Sequence, residues 1–329
     1  MPRVPPVYLG CLLVLAVVVL ASLTLGSKPT TLAQVFDALG GHADPYLAAV
    51  FDARYQRTLL GVAVGAALAV AGTLMQSATG NPLADPGLLG INAGAAAAMV
   101  TCTALFGLTL GSPAAVWVAL AGAGMAAVAV YVVGTAGSGS ANLVRLILAG
   151  AVVTAVLTAY VQGIALSLPQ TFDNYRFWVV GSLHHGASAQ LFSVLPFLLL
   201  GLVMAFAVAG GMNALALGND AATGLGVHTG LIRAGGLGAA TLMSAAATAA
   251  VGPIAFIGLA VPHIVRALVG LDMRRQLIGS LLVGPVVLLA ADVIGRVLLR
   301  PQELMVGVVT AFVGAPVLLL VVRKLGDRS

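Results

Sequence analysis

Ten acidic residues, fifteen lysines and arginines, five histidines and two cysteines are all that this 329-residue chain has for acid–base, nucleophilic or metal chemistry. Their spacing argues against each. The only lysines are Lys28 and Lys324, so no glycine-rich loop ends in Gly-Lys-Ser/Thr to cradle the phosphates of ATP. His184 and His185 are adjacent, which on a helix points them apart, and no His-x-x-x-His or Cys/His cluster suggests a metal enzyme. His263 follows Pro262 and is expected to satisfy backbone groups near a helix end. Cys11 and Cys102 lie in apolar runs and read as small buried hydrophobes. Asp292 is the sole acid placed to fall within an apolar span, near its outer end, with Arg296 as an i,i+4 partner. That is thin support for an ion-coupled secondary transporter. An intramembrane enzyme needs paired carboxylates, a His pair or a Ser/His arrangement, and the spans have none.

The elements that carry these residues are membrane helices. The chain is 60% hydrophobic and 8% charged, against about a quarter charged in soluble domains, and its mean hydropathy is +1.09. Lipid must therefore be the solvent for most of the surface. Crossing the hydrocarbon layer takes roughly 20 apolar residues, so about ten crossings with short connections use the whole chain and leave no separate catalytic domain. Charge-free windows and Gly/Pro/Ser breaks place spans near 7–26, 56–78, 88–110, 114–134, 143–167, 191–210, 231–250, 254–270, 278–299 and 304–323. The eighth contains Pro262, His263 and Arg266, and only Gly252-Pro253 separates it from the seventh. The first span is long for a cleaved secretory signal and lacks a clear small-x-small site, so it reads as a retained anchor. With both termini cytoplasmic, nine basic residues and four acids lie inside, for +5. Six of each lie outside, for 0, as the positive-inside rule asks.

Small-xxx-small pairs at Gly61/Gly65, Gly90/Gly94 and Gly107/Gly111 predict close helix contacts. Two polar segments stand out. Gly80-Asn81-Pro82-Leu83-Ala84-Asp85-Pro86 is a cytoplasmic loop made rigid by two prolines, with an Asx residue ahead of one of them. Residues 212–230 hold a longer cytoplasmic insertion, Met212 to Val227, glycine-bounded and shaped as a surface helix or a docking element for a soluble partner.

Several longer motifs occur in order: R-x-x-R at Arg54 and Arg57, G-N-P-L-A-D-P-G-L-L-G-I-N-A-G-A from Gly80, and F-W-V-V-G-S from Phe177. They continue with M-N-A-L-A-L-G from Met212, G-P-I-A-F-I-G-L-A-V-P-H-I-V-R from Gly252, A-D-V-I-G-R from Ala291 and E-L-M-V-G-V-V-T-A-F-V-G-A-P from Glu303. Over nearly its whole length the chain closely resembles the FecCD family, the permease subunits of ABC importers for iron siderophores, haem and cobalamin.

The resemblance implies an all-α polytopic protein with the type II ABC importer permease fold, a single domain over 1–329 in the bacterial cytoplasmic membrane. It implies no catalytic residue, metal or cofactor in this chain. Two cytoplasmic ATPase subunits bind ATP and Mg, an extracytoplasmic binding protein delivers cargo, and a second copy or close paralogue completes the pathway; nucleic acid has no part. The expected cargo is an iron(III)-siderophore, with haem or cobalamin as alternatives. Carried over by position, Asn81 and Leu83 match the cytoplasmic gate. Gly218, Asn219, Asp220, Ala222, Thr223, Leu225 and Gly226 match the ATPase coupling element. Phe177, Trp178, Gly181 and Ser182 match a short helix gating the outer end. Arg54, Arg57 and Arg296 match arginines that receive acidic residues of the binding protein on the outer face. The family often has Glu at Asn219, a basic residue at Thr223, Gly at Ala255 and Pro at Met305.

Overall fold

The computed structural model describes residues 4–26, 30–42, 44–109, 112–136, 143–183 and 187–326, and among them there is no strand. In order the helices are α1 (Val4–Thr24), α2 (Leu32–Leu39), α3 (Pro45–Thr79), α4 (Ile91–Phe106), α5 (Pro113–Thr135), α6 (Leu143–Ser167) and α7 (Pro169–Val179). They continue with α8 (Ala187–Leu215), α9 (Asn219–Gly224), α10 (Thr229–Val251), α11 (Ile257–Val269), α12 (Met273–Leu298) and α13 (Val306–Gly326). A 3-10 turn at Pro86–Leu89 leads into α4. Seven helices are long and apolar enough to cross a membrane, and Ile91–Phe106, Ile257–Val269 and Val306–Pro316 are shorter apolar helices.

Each of the ten expected spans therefore has a helix, with three differences in detail. α3 starts at Pro45 because Asp44 caps it, its Oδ1 accepting from Leu47 N at 2.8 Å, and Pro45 suits the first helical position. α11 has 13 residues, too few to cross, and buries most of its length in protein. The outer helix near Phe177 comprises 169–179, so Gly181 and Ser182 lie in the turn after it.

α3 is the central pillar. In its apolar window 78% of residues are buried, against 6% for α1, and it packs on α8, α10, α11 and α12. Glycine makes that possible: a Cβ on Gly65 would meet Pro285 N at 2.9 Å, and one on Gly72 would strike the Gly258 carbonyl. Gly94 and Gly122 play the same part between α4 and α5. Gly61 is closed in the same way, since a Cβ on it would meet Leu289 Cδ2 of α12 at 2.6 Å. Gly90 and Gly107 take left-handed φ of +74° and +63° as helix caps, and Gly111 lies outside the described residues.

Candidate functional site

The inner loop is built from two Asx-Pro turns in tandem. Asn81 Oδ1 accepts from Leu83 N at 2.9 Å, and Asp85 Oδ1 accepts from Gly87 N at 2.8 Å. Gly80, at φ +62°, ends α3 and turns the chain into the loop. Leu83 projects with 38% of its surface exposed, as an apolar plug would. The second turn escaped the sequence reading, although Asp85 precedes Pro86 as Asn81 precedes Pro82. Burial pushes the Asp85 carboxyl above its ordinary value of 3.8, opposed by the bond from Gly87 N. His263 does not satisfy its own helix; its ring Nε2 lies 3.0 Å from the Pro82 carbonyl.

The expected coupling element is a single helical turn. Gly218 (φ +102°) and Gly226 (φ +75°) bound it, Ala222 N bonds Gly218 O at 3.0 Å, and Val227 N bonds Ala222 O at 3.0 Å. Ala222 is fully buried, which pins the turn to the bundle, while Asp220, Thr223 and Leu225 are exposed. Arg233 Nη2 donates to Asn219 Oδ1 at 2.9 Å, tying the turn to α10. Asn213 fastens the end of α8 to the α11–α12 corner, donating to Asp272 Oδ2 at 2.9 Å and accepting from Met273 N at 2.7 Å. Exposed Leu217 and Leu225 give the face apolar knobs of the kind that fill a protein cleft.

On the outer side Phe177 is exposed and Trp178 packs against the core. The following turn is knitted to the α10–α11 break: Ser182 N bonds Val251 O at 2.8 Å, and Gly307 N of α13 bonds Gly181 O at 3.3 Å. Gly181 (φ +77°) and Gly252 (φ +77°) are required here, because a Cβ on either would strike Pro253 O or Trp178 O. His184 and His185 lie outside the described residues.

The three outer arginines differ most from expectation. They are not a free basic cluster on the surface: Arg296 is 2% exposed, Arg54 8%, and the Arg57 side chain 12%. Arg57 binds Asp292 Oδ1 through Nη2 at 2.6 Å and Glu303 Oε2 through Nη1 at 2.8 Å. Asp292 Oδ2 also lies 3.0 Å from Arg296 Nη2, the i,i+4 pairing expected. Arg296 Nη1 donates to Ser22 O and Leu25 O at 2.9 and 3.1 Å, and Arg54 Nη1 to Leu23 O and Thr24 O at 3.1 Å each. The two arginines thus take four successive carbonyls at the C-terminal end of α1, where the helix has no partner of its own and the dipole favours cations. This demand draws the basic residues inward, and a motif spacing does not reveal it. Among the described residues no group of three His, Cys, Asp or Glu side chains could hold a metal ion.

Comparison with known proteins places this architecture. Residues 13–324 match the FecCD transport family. The chain is 46% identical over 318 residues to the ferric enterobactin transport system permease protein FepD of Escherichia coli (strain K12), covering 96% of this chain and 94% of that protein. It is 36% identical over 323 residues to the probable siderophore transport system permease protein YfiZ of Bacillus subtilis (strain 168), covering 97% and 96%. With the hemin transport system permease protein HmuU of Yersinia pestis it shares 35% over 334 residues, covering 99% and 98%. Among solved structures, an inward-facing metal-chelate type ABC transporter superposes with a TM-score of 0.86 at 25% identity, covering 97% of this chain and 99% of that one. The helices thus follow the type II ABC importer permease fold, and the chain belongs to the FecCD transport family.

Proposed function

We propose that the chain is the permease subunit of an ABC importer that carries an iron(III)-siderophore complex across the bacterial cytoplasmic membrane. The observation that carries this is the 46% identity to a ferric enterobactin permease along nearly the full length of both chains. The pathway forms with a second copy or a close paralogue, both termini lie in the cytoplasm, and a binding protein delivers the chelate from outside. Two ATPase subunits, which hold ATP and Mg, seat the exposed turn Gly218–Gly226 in a cleft and move it, while Asn81 and Leu83 narrow the exit and Phe177–Ser182 the entrance. The buried surroundings of the outer arginines refine the docking expectation. Arg54, Arg57 and Arg296 against Asp292 and Glu303 leave a net charge of +1 just beneath the outer rim. The arginines act there through their field and by holding the rim in shape.

The test is uptake of radiolabelled iron chelate into proteoliposomes holding the permease, its ATPase and its binding protein. Uptake should require ATP. Uptake driven by an ion gradient without the ATPase would replace this reading with a secondary transporter, and ATP-driven uptake of haem or cobalamin alone would reassign the cargo.

A further inference from the structure

The segment Val251–Val269, which is α11 with the largely non-helical link that leads into it, touches both expected constrictions. At its leading end, the Val251–Pro253 link is bonded to the turn after α7, through Ser182 N to Val251 O and the close packing of Gly252 on Trp178 and Gly181 on Pro253. At its flank, His263 Nε2 reaches the carbonyl of Pro82, the residue between Asn81 and Leu83. A carbonyl only accepts, so Nε2 carries the hydrogen and donates. A Cβ on Gly258 would stand 3.3 Å from Asp85 Oδ2 and 3.4 Å from Pro86 Cδ, so α11 also bears on the second Asx-Pro turn.

The sequence makes α11 a stiff unit seated on α3. Pro262 has no N–H, so the Gly258 carbonyl four residues earlier loses its helical partner. Gln76 of α3, buried, fills the vacancy: its Nε2 lies 3.4 Å from Gly258 O and 3.2 Å from Leu259 O, and its Oε1 accepts from Arg266 Nη2 at 3.1 Å. The backbones of Gly72 and Gly258 meet in the same place. Just ahead of α11, Phe256 takes φ +71°, a left-handed conformation that a bulky residue holds only where its surroundings enforce it, and Gly314 of α13 leaves the space for its ring.

We propose that His263 is the positioning residue of the inner exit, fastening the Asn81–Leu83 turn to α11, the helix that follows the link bonded to the turn after α7. The inference rests on the reading of Asn81 and Leu83 as the exit. His263 touches no cargo; it acts through Pro82.

The experiment uses the complete transporter, with ATPase and binding protein, in proteoliposomes. Cys11 and Cys102 are replaced by Ala and Leu83→Cys is introduced, and cross-linking between protomers is compared in nucleotide-free and ATP-trapped states. A second series carries Phe177→Cys and records labelling from outside. Wild-type His263 should give nucleotide-dependent cross-linking. His263→Leu, which loses the donor, should shift the ratio between the two states about fivefold toward unity, the scale of one lost hydrogen bond, and lower uptake per ATP hydrolysed. Labelling at Phe177→Cys should still follow nucleotide. His263→Gln, which keeps an N–H donor, should restore most of both. A wild-type ratio in His263→Leu, or a failure of His263→Gln to recover anything, would overturn the inference while leaving the exit reading intact. Cross-linking indifferent to nucleotide with His263 in place would overturn the exit reading and the inference with it.

Discussion

Asp292→Asn tests whether the outer charge network holds the bundle together. Its carboxylate is fully buried and lies between Arg57 and Arg296, whose side chains are 12% and 2% exposed. Removing one member of a buried ion pair costs about 3–5 kcal/mol, because the remaining charge is left in a poor solvent. Here both guanidiniums keep other partners: Arg57 has Glu303, and Arg296 has the carbonyls of Ser22 and Leu25. The loss should therefore fall near the lower bound, about 3 kcal/mol. Glu303→Gln removes a carboxylate that is 21% exposed and reaches water, so its loss should be about 1 kcal/mol or less. Asp292→Asn combined with Arg296→Met removes both charges but also frees the Ser22 and Leu25 carbonyls, and should cost less than the sum of the two single losses, since neighbouring sites couple. The assay is denaturant unfolding of the purified permease in lipid nanodiscs. If Asp292→Asn destabilised no more than Glu303→Gln, the network would not be a support of the fold.

Other outcomes follow from the packing, the Asx-Pro loop and the turn at 218–226. Gly72→Ala drives a methyl into the Gly258 backbone and should cost about 1–3 kcal/mol in the same assay, whereas Gly10→Ala, with open space around it, should be silent. Asp85 has a raised pKa, so the native state keeps its proton at pH values where the unfolded chain has released it, and stability falls as pH rises from 3.8 through the native value. Asp85→Asn keeps the Oδ1 that accepts from Gly87 N, and it should flatten that part of the stability–pH profile. Ala222→Asp buries a carboxylate under the coupling turn; it should release the ATPase in co-purification and leave iron-chelate binding by the separate binding protein unchanged.

Hydropathy sufficed to locate a helix at each of the ten expected spans, because each charge in lipid is costly and the windows between charges are long. It misjudged α3, whose N-terminal half carries Arg54 and Arg57, which the fold satisfies inside protein with α1 carbonyls and with Asp292 and Glu303, while Asp52 stays exposed. It also gave α11 a crossing that 13 residues cannot make, since a run buried among other helices is as apolar as one facing lipid. The glycine-bounded turn at 218–226 and the rigid loop at 80–86 were legible as local structure, for glycine and Asx-Pro chemistry act locally. The partners of His263, Gln76 and the outer arginines were not. Those bonds join residues more than 180 positions apart or depend on where α1 ends, and no local spacing encodes either.

The arginine cap on α1 has a consequence for biogenesis. Synthesis runs from the N-terminus, so α1 enters the bilayer before α3 and α12, with its last-turn carbonyls seeking donors. Arg54 arrives with the next long helix and takes two of them, but Arg296 lies 271 residues beyond Leu25. Until then water and lipid headgroups must stand in at Ser22 and Leu25. The cap on α1 is therefore half made when α3 is in place, and complete only once α12 has been inserted.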